Sequence, residues 1–285
     1  MKREYINERS ELIYSLNILY ILIGFPRIRF SVLTETATYK NREVIMVKEE
    51  YFTKVPNSYI RCDITKTFGV NNKFFIIYIL IDRYRSYEDY SWLTIKEVFE
   101  FYDYKKPERK TKAFMEVIDV LIYMIKNDMI KIFQDLEDIS YDTGIKIRII
   151  PKNFDCESNF TKFTTTHYKA IMATDDSINK ENLLRAFLYV SSYIGTKKSD
   201  NDGGYEKPAA FYKSTANMAE EIGMSKKTIQ TCLSYLTKGS KHIQPLLLKK
   251  EVSNTSKHIS HIYVFNCPGY EQEIELVLNK ITNQI

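Results

Sequence analysis

The sequence predicts a mainly α protein with small β-hairpins, an α+β chain in which one structural unit occurs twice. Three observations carry this. Apolar residues recur at helical spacing in several separate segments. Each run of helical segments closes on two short Ile- and Val-rich stretches with a polar turn between them. The same order then returns after about 100 residues.

The bulk properties set the frame. A chain of 285 residues accommodates two modest units, and 44% hydrophobic with 27% charged residues is enough apolar material for a core. A net charge of +5 and a pI near 8.7 favour a polyanionic partner only if the cations are clustered. Cys62, Cys156, Cys232 and Cys267 lie far apart with no CxxC pair, which fits a reduced, cytoplasmic protein. The apolar stretch "LIYSLNILYILIGF", Leu12 to Phe25, is interrupted by Ser15 and Asn17 and is shorter than the roughly 20 residues a membrane span needs. It is expected to be a buried helix, and neither a membrane anchor nor a signal peptide.

The elements follow in order. Residues 1–50 are expected to hold that helix and short strands, since "RIRFSVLTET" and "REVIMVKEE" alternate apolar and polar. Residues 51–152 form the first unit. An extended piece breaks at Pro56, a turn spans Gly69 to Asn72, and an apolar helix runs from Lys73 to Arg83 behind an Asn pair suited to a helix start. A helix in "SWLTIKEVFEFYDY", the basic turn "KKPERKT", and a long helix from Lys112 to Asn127 come next. The strands "MIKIFQ" and "IKIRII" then flank the turn "DLEDISYDTG".

Residues 153–268 repeat the order: the helix "INKENLLRAFLYVSSYIG", the polar loop "TKKSDNDGGYEKP", the helices "STANMAEEIG" and "SKKTIQTCLSYLTKG", and the strands "PLLLKKEV" and "HIYVFN". In the first helix Leu183, Leu184, Phe187, Leu188 and Ser191 share a face, and Gly203, Gly204 and Pro208 break the loop. A C-terminal helix is expected over 269–285. Three helices closed by a β-hairpin is the winged helix-turn-helix pattern, so the chain reads as two tandem winged helix-turn-helix units and a diverged duplication. The lead-ins "KVPNSYI" and "KFTTTHYKAI" also correspond loosely.

The stretch richest in chemistry is "MAEEIGMSKKTIQTCLSYL", Met218 to Leu236. Met218, Ala219 and Ile222 cover one face of a helix, and Gly223 lets the chain leave it in a left-handed conformation. Ser225 suits an N-cap. Ile229, Leu233 and Leu236 share a buried face with Cys232 at its edge. Lys226, Lys227, Thr228, Gln230, Thr231 and Ser234 are left facing outward with no acid among them. Such a face suits a major groove: lysines neutralise phosphates, Gln pairs bidentately with adenine, and hydroxyls reach phosphates or base edges. The other reading is a solvated face on an ordinary helical hairpin. Lys249, Lys250, Lys257 and His258 of the following hairpin are placed for backbone contact.

The corresponding turn of the first unit carries Lys105, Lys106, Arg109, Lys110 and Lys112 against a single Glu108, which suits phosphate contact. Its hairpin tip carries Asp135, Glu137, Asp138 and Asp142 without a base, so it is expected to point away from DNA or to meet a protein. A solvated acidic turn is the alternative.

Enzymatic signals are weak. GxxxxGK[ST], HExxH and His-x-His are absent, and His258 with His261 lacks a third ligand nearby. His167 in "TTTHYKAI" reads as a local hydrogen-bonding residue. No catalysis, cofactor or metal is expected.

The layout resembles the winged-helix replication initiators of plasmids and phages of low-GC Gram-positive bacteria. The resemblance spans roughly residues 50 to 267 and rests on "KVPNSYI" leading into "KFFIIYILIDRY", and on "STANMAEEIGMSKKTIQTCLSYL" followed by "PLLLKKEV". It implies binding to repeated double-stranded DNA sites at an origin and recruitment of host replication proteins. The acidic first hairpin and the lack of a glycine turn before "KKPERKT" depart from that pattern. A transcriptional regulator would use the same helix, and an interaction scaffold would use the same units on proteins. Two-fold pairing of chains is expected from the way such domains meet palindromic sites.

Overall fold

The computed structural model describes residues 50–174, 178–194, 197–198, 206–207, 210–239, 244–251 and 261–266, together with Ile274, Glu275 and Asn279. The elements expected before residue 50, the C-terminal helix, Cys267, Lys257 and His258 lie outside the described residues. What is described is a mixed α+β structure, rich in helix, with small antiparallel sheets of two and three strands.

The chain enters through β1 (Phe52–Pro56) and two short helices, α1 (Asn57–Ile60) and α2 (Ile64–Phe68). The side chain of Asp63 caps α2 by accepting from the Lys66 amide, and Gly69 ends it at φ 66°, a left-handed conformation that favours glycine. Next is α3 (Lys73–Arg83). Its start is held by Asn71, whose Oδ1 accepts from the Lys73 amide at 3.0 Å, while Asn72 makes no side-chain cap. From Lys73 to Ile81 every residue of α3 is buried.

One boundary differs from the sequence reading. Tyr90–Leu93 is a strand, β2, where a helix was expected from Ser91 on. Tyr90 and Trp92 alternate with the buried Ser91 and Leu93, which is a period of two. Thr94 then opens α4 (Ile95–Phe101) with a complete capping box to Glu97, the signal that marks the true start. α5 (Lys112–Lys126), β3 (Ile130–Ile132) and β4 (Ile145–Ile149) complete the first half, and the sheet order is β2-β4-β3, all antiparallel.

The second half runs α6 (Pro151–Phe154), β5 (Phe160–Thr164), α7 (Thr165–Met172), α8 (Lys180–Tyr193), β6 (Lys197–Lys198), β7 (Glu206–Lys207), α9 (Thr215–Ile222), α10 (Lys226–Lys238), β8 (Leu247–Glu251) and β9 (His261–Phe265). The polar loop after α8 thus contains a short ladder, β6 with β7, although Gly and Pro argue against regular structure there. β8 pairs with β9, and Phe211 bridges to Tyr263 on the far side of β9 through two 2.8 Å backbone bonds.

The two halves are joined where their lead-ins meet. "FTKVP" of β1 pairs antiparallel with "FTKFT" of β5, centred on Lys54 opposite Lys162. Lys54 Nζ lies 4.9 Å from the Phe160 ring centre, and Lys162 Nζ lies 5.0 Å from that of Phe52. This local two-fold relation offsets the repulsion of two facing lysines with two cation–π contacts.

The halves share one continuous core. α8 is buried around its whole circumference from Leu183 to Ser192, not on one face as the Leu183–Ser191 spacing suggested, because α1, α3, β5, α7 and α10 all pack on it. Polar side chains stitch the junction. Buried Arg185 of α8 donates from Nη1 to the Ile60 carbonyl at 2.5 Å and from Nη2 to the Cys62 carbonyl, with its guanidinium 4.7 Å from the Phe75 ring. Arg61 reaches back to Ser192. Lys73 bridges Glu116 of α5 at 2.7 Å and Glu181 of α8 at 2.9 Å, and Lys180 pairs with Asp103.

Candidate nucleic-acid interface

The segment Ser214–Lys238 forms two helices joined by Gly223, Met224 and Ser225. Gly223 takes φ +67°, and a Cβ on it would stand 2.2 Å from Asp63 Oδ2. The turn is therefore held tight by backbone conformation and by the first half packing onto it. Ser225 Oγ accepts from the Thr228 amide at 3.1 Å and shares a 2.7 Å hydrogen bond with the Thr228 hydroxyl. Ile229, Cys232, Leu233 and Leu236 are buried. Burial of the Cys232 thiol pushes its pKa up to about 12, which makes it an inert packing group.

The outward face is as the spacing requires. Ser225, Lys226, Lys227, Gln230 and Thr231 are exposed, and Thr228 and Ser234 are half-buried. Among the described residues neither Lys226 nor Lys227 has an ion-pair partner. Thr231 donates its hydroxyl to the Lys227 carbonyl at 3.0 Å, so in this state its oxygen remains as an acceptor for a donor from outside. In the hairpin, Lys249 and Lys250 are exposed. Lys249 lies 3.7 Å from Glu251, a contact open enough to water to be weak.

The first half places its basic turn differently. α4 ends in Asp103 at φ 55°, a left-handed Asp doing what glycine does after α9, and a long loop from Tyr102 to Thr111 then leads into α5. The acidic tip folds onto this loop. Lys106 Nζ is 2.7 Å from Asp142, Lys110 Nζ donates to the Glu137 carbonyl at 2.6 Å, and Lys112 stands 3.9 Å from Glu116. Lys105 and Arg109 are exposed. The tip thus meets the chain's own cations, a pairing invisible in sequence because Lys106 and Asp142 are 36 positions apart.

The outer side of α5 carries one exposed apolar residue between Lys112 and Asp119. Met115 is 43% exposed, and with Ile118, Ile122 and Leu136 it lines a groove of about 550 Å³ between the helix and the hairpin. Lys110, Gln134, Asp135 and Glu137 line the rest of that groove.

His167 closes a capping box at the start of α7: its Nδ1 accepts from the Thr164 amide at 3.2 Å. Burial lowers its pKa to about 4, so it is neutral and structural. Lys213, Tyr189, Tyr193 and Glu221 form a second polar cluster, with Lys213 Nζ 2.7 Å from Glu221 Oε1 and 2.9 Å from the Tyr193 hydroxyl. The Tyr189 hydroxyl donates to the Glu221 carboxylate, and burial first, then that bond, raises its pKa, the opposite of what a tyrosine nucleophile needs. Among the described residues no group of three His, Cys, Asp or Glu side chains is placed to hold a metal ion, and no helix is long and apolar enough to cross a membrane. No protein-family model matches the chain, and no curated protein matches it.

Proposed function

We propose that this protein is a sequence-specific double-stranded DNA-binding protein built from tandem winged helix-turn-helix units, acting as a plasmid or phage replication initiator at origin repeats. The observation that carries the reading is the face of α10: Lys226, Lys227, Gln230 and Thr231 are exposed, free of acids, and delivered by the glycine turn with the apolar side fully used in packing. The order of elements supports it in both halves. In the first, α3, β2, α4, α5, β3 and β4 follow one another with the sheet order β2-β4-β3. In the second, α8, the Phe211 bridge, α9, α10, β8 and β9 follow the same sequence. The replication role rests on the resemblance alone, and a transcriptional regulator would use the same face.

Reading is assigned to α10, with Lys249 and Lys250 on phosphates. The groove between α5 and the hairpin of the first unit is assigned to a protein partner, because Lys106 and Lys110 are engaged by that hairpin and Met115 stands exposed beside the half-buried Ile122 and Leu136. The test is a footprint on DNA flanking the protein's own gene, with wild type and with Lys226→Ala/Lys227→Ala. Loss of the footprint in the double variant is expected, with wild-type affinity falling steeply as salt rises. An unchanged footprint in the double variant would overturn the assignment of α10.

A further inference from the structure

The solvent face of the three-stranded sheet has no role in the reading above, and its composition is unusual. β4 is the central strand, and its outward residues are Lys146 and Arg148. Trp92 stands opposite Lys146 and Tyr90 opposite Arg148 on one side, and Lys131 stands opposite Arg148 on the other. Phe133, the next outward position beyond β3, extends the row. Three aromatics and three cations therefore share one pleated face, and none of the six is acidic. Trp92 is 56% and Phe133 60% exposed. Single exposed aromatics are ordinary on a protein surface, but a contiguous set marks an interaction site.

The cations and rings are interleaved. Lys146 Nζ lies 5.0 Å from the Tyr90 ring centre and 5.8 Å from that of Phe133, and the Arg148 guanidinium lies 6.0 Å from Tyr90. The Tyr90 and Phe133 rings are 6.2 Å apart. Gln134 holds the face in register, accepting from the Lys146 amide at 3.0 Å and donating to the Gly144 carbonyl at 2.7 Å. The backbone that carries the rings and charges is thus held by hydrogen bonds within the hairpin.

We infer that this face binds single-stranded DNA, with bases stacking on Trp92 and Phe133 while Lys131, Lys146 and Arg148 neutralise the backbone. Charge and chemistry select this occupant. An acid-free cationic face repels a basic partner and a second copy of itself, whereas exposed rings alternating with cations are what a flexible polyanion with planar bases requires. A regular duplex hides its base faces and cannot use the rings. Single-stranded RNA presents the same bases and phosphates; DNA is taken as the occupant because the function proposed above already places the protein on DNA, and oligo(U) is the competing arm of the test.

The chain has one tryptophan, and it is Trp92, so its emission reports directly on stacking. Titrating the full-length protein with a short oligo(dT) should quench that emission saturably, while a duplex of equal length should not. By anisotropy of a labelled oligo(dT), Trp92→Ala or Phe133→Ala should each weaken binding about ten-fold or more. Lys131→Ala/Lys146→Ala/Arg148→Ala should reduce the log–log salt slope by about 2. Lys226→Ala/Lys227→Ala should leave oligo(dT) binding intact, which separates this surface from α10. Should an aromatic variant fail to fold, Lys146→Glu/Arg148→Glu tests the same surface by charge reversal. Four results would overturn the inference: no quenching, equal quenching by duplex, tighter binding of oligo(U) than of oligo(dT), or oligo(dT) affinity unchanged in the aromatic or charge-reversed variants. A concentration-dependent change in Trp92 emission without any response to single strands would assign the face to self-association and overturn it too.

Discussion

Gly223 shows how one residue answers to two parts of the molecule. Its φ of +67° disfavours any side chain, and Asp63 of the opposite half occupies the space where a Cβ would go. Gly223→Ala is expected to lose about 1–2 kcal/mol from backbone strain alone, with a further loss from the Asp63 contact. Thermal melts of Gly223→Ala with and without Asp63→Ala separate the two, since the second change relieves only the contact; its own cost as the α2 cap is measured in the single Asp63→Ala variant. His167 yields a pH prediction. Its folded pKa is lowered to about 4 against about 6.5 in the unfolded chain, so the unfolded state binds the proton first. Stability is then complete above pH 6.5 and declines as pH falls towards 4, by up to about 3 kcal/mol. Urea midpoints at pH 7 and pH 4.5 should differ accordingly, and less so in His167→Gln, where Gln keeps the capping box. If that variant shows the same pH slope, His167 is not the group responsible.

Among the elements, α5 and α10 each precede a β-hairpin and differ in surface. The periodicity of α10 was readable directly, since its apolar residues at 229, 233 and 236 leave a polar remainder, and the structure seats them as the spacing implies. α5 was readable as a helix, but the use of its basic approach was not, because the partners of Lys106 and Lys110 come from a distant hairpin. Neutralising the acids of that tip with Asp142→Asn/Glu137→Gln/Asp135→Asn should raise salt-sensitive, sequence-independent DNA affinity several-fold by freeing Lys106 and lowering local repulsion. A filter-binding series at two salt concentrations measures it, and unchanged affinity would mean that the loop has no access to DNA. The strand β2 was missed because Trp92 and Leu93 satisfy either period over so short a run. The capping box from Thr94 to Glu97 was the available signal.

On the scale of the whole molecule, the halves are expected to unfold as one cooperative body. The β1–β5 pairing, the Lys73 bridge to both Glu116 and Glu181, and Arg185 on the Ile60 and Cys62 carbonyls all cross the junction. Arg185→Met should destabilise by about 2–4 kcal/mol, because two buried carbonyls lose their donors. Calorimetry should show a single unfolding transition in wild type, and two separated transitions would show that the shared core does not couple the halves.

The sequence by itself determined the long helices, the Ser225 cap and the polar remainder of α10, because these depend on residues within a few positions of one another. It also suggested a repeat, through the loose correspondence of "KVPNSYI" with "KFTTTHYKAI". Only the tertiary structure decided how the halves meet: the two lead-in strands pair with each other, α8 is enclosed on every side, and the acidic tip covers the basic turn. Tertiary structure alone also assembled the Trp92–Lys146–Phe133 face, from strands separated by tens of residues. These outcomes rest on register and packing between distant segments, which no local pattern encodes.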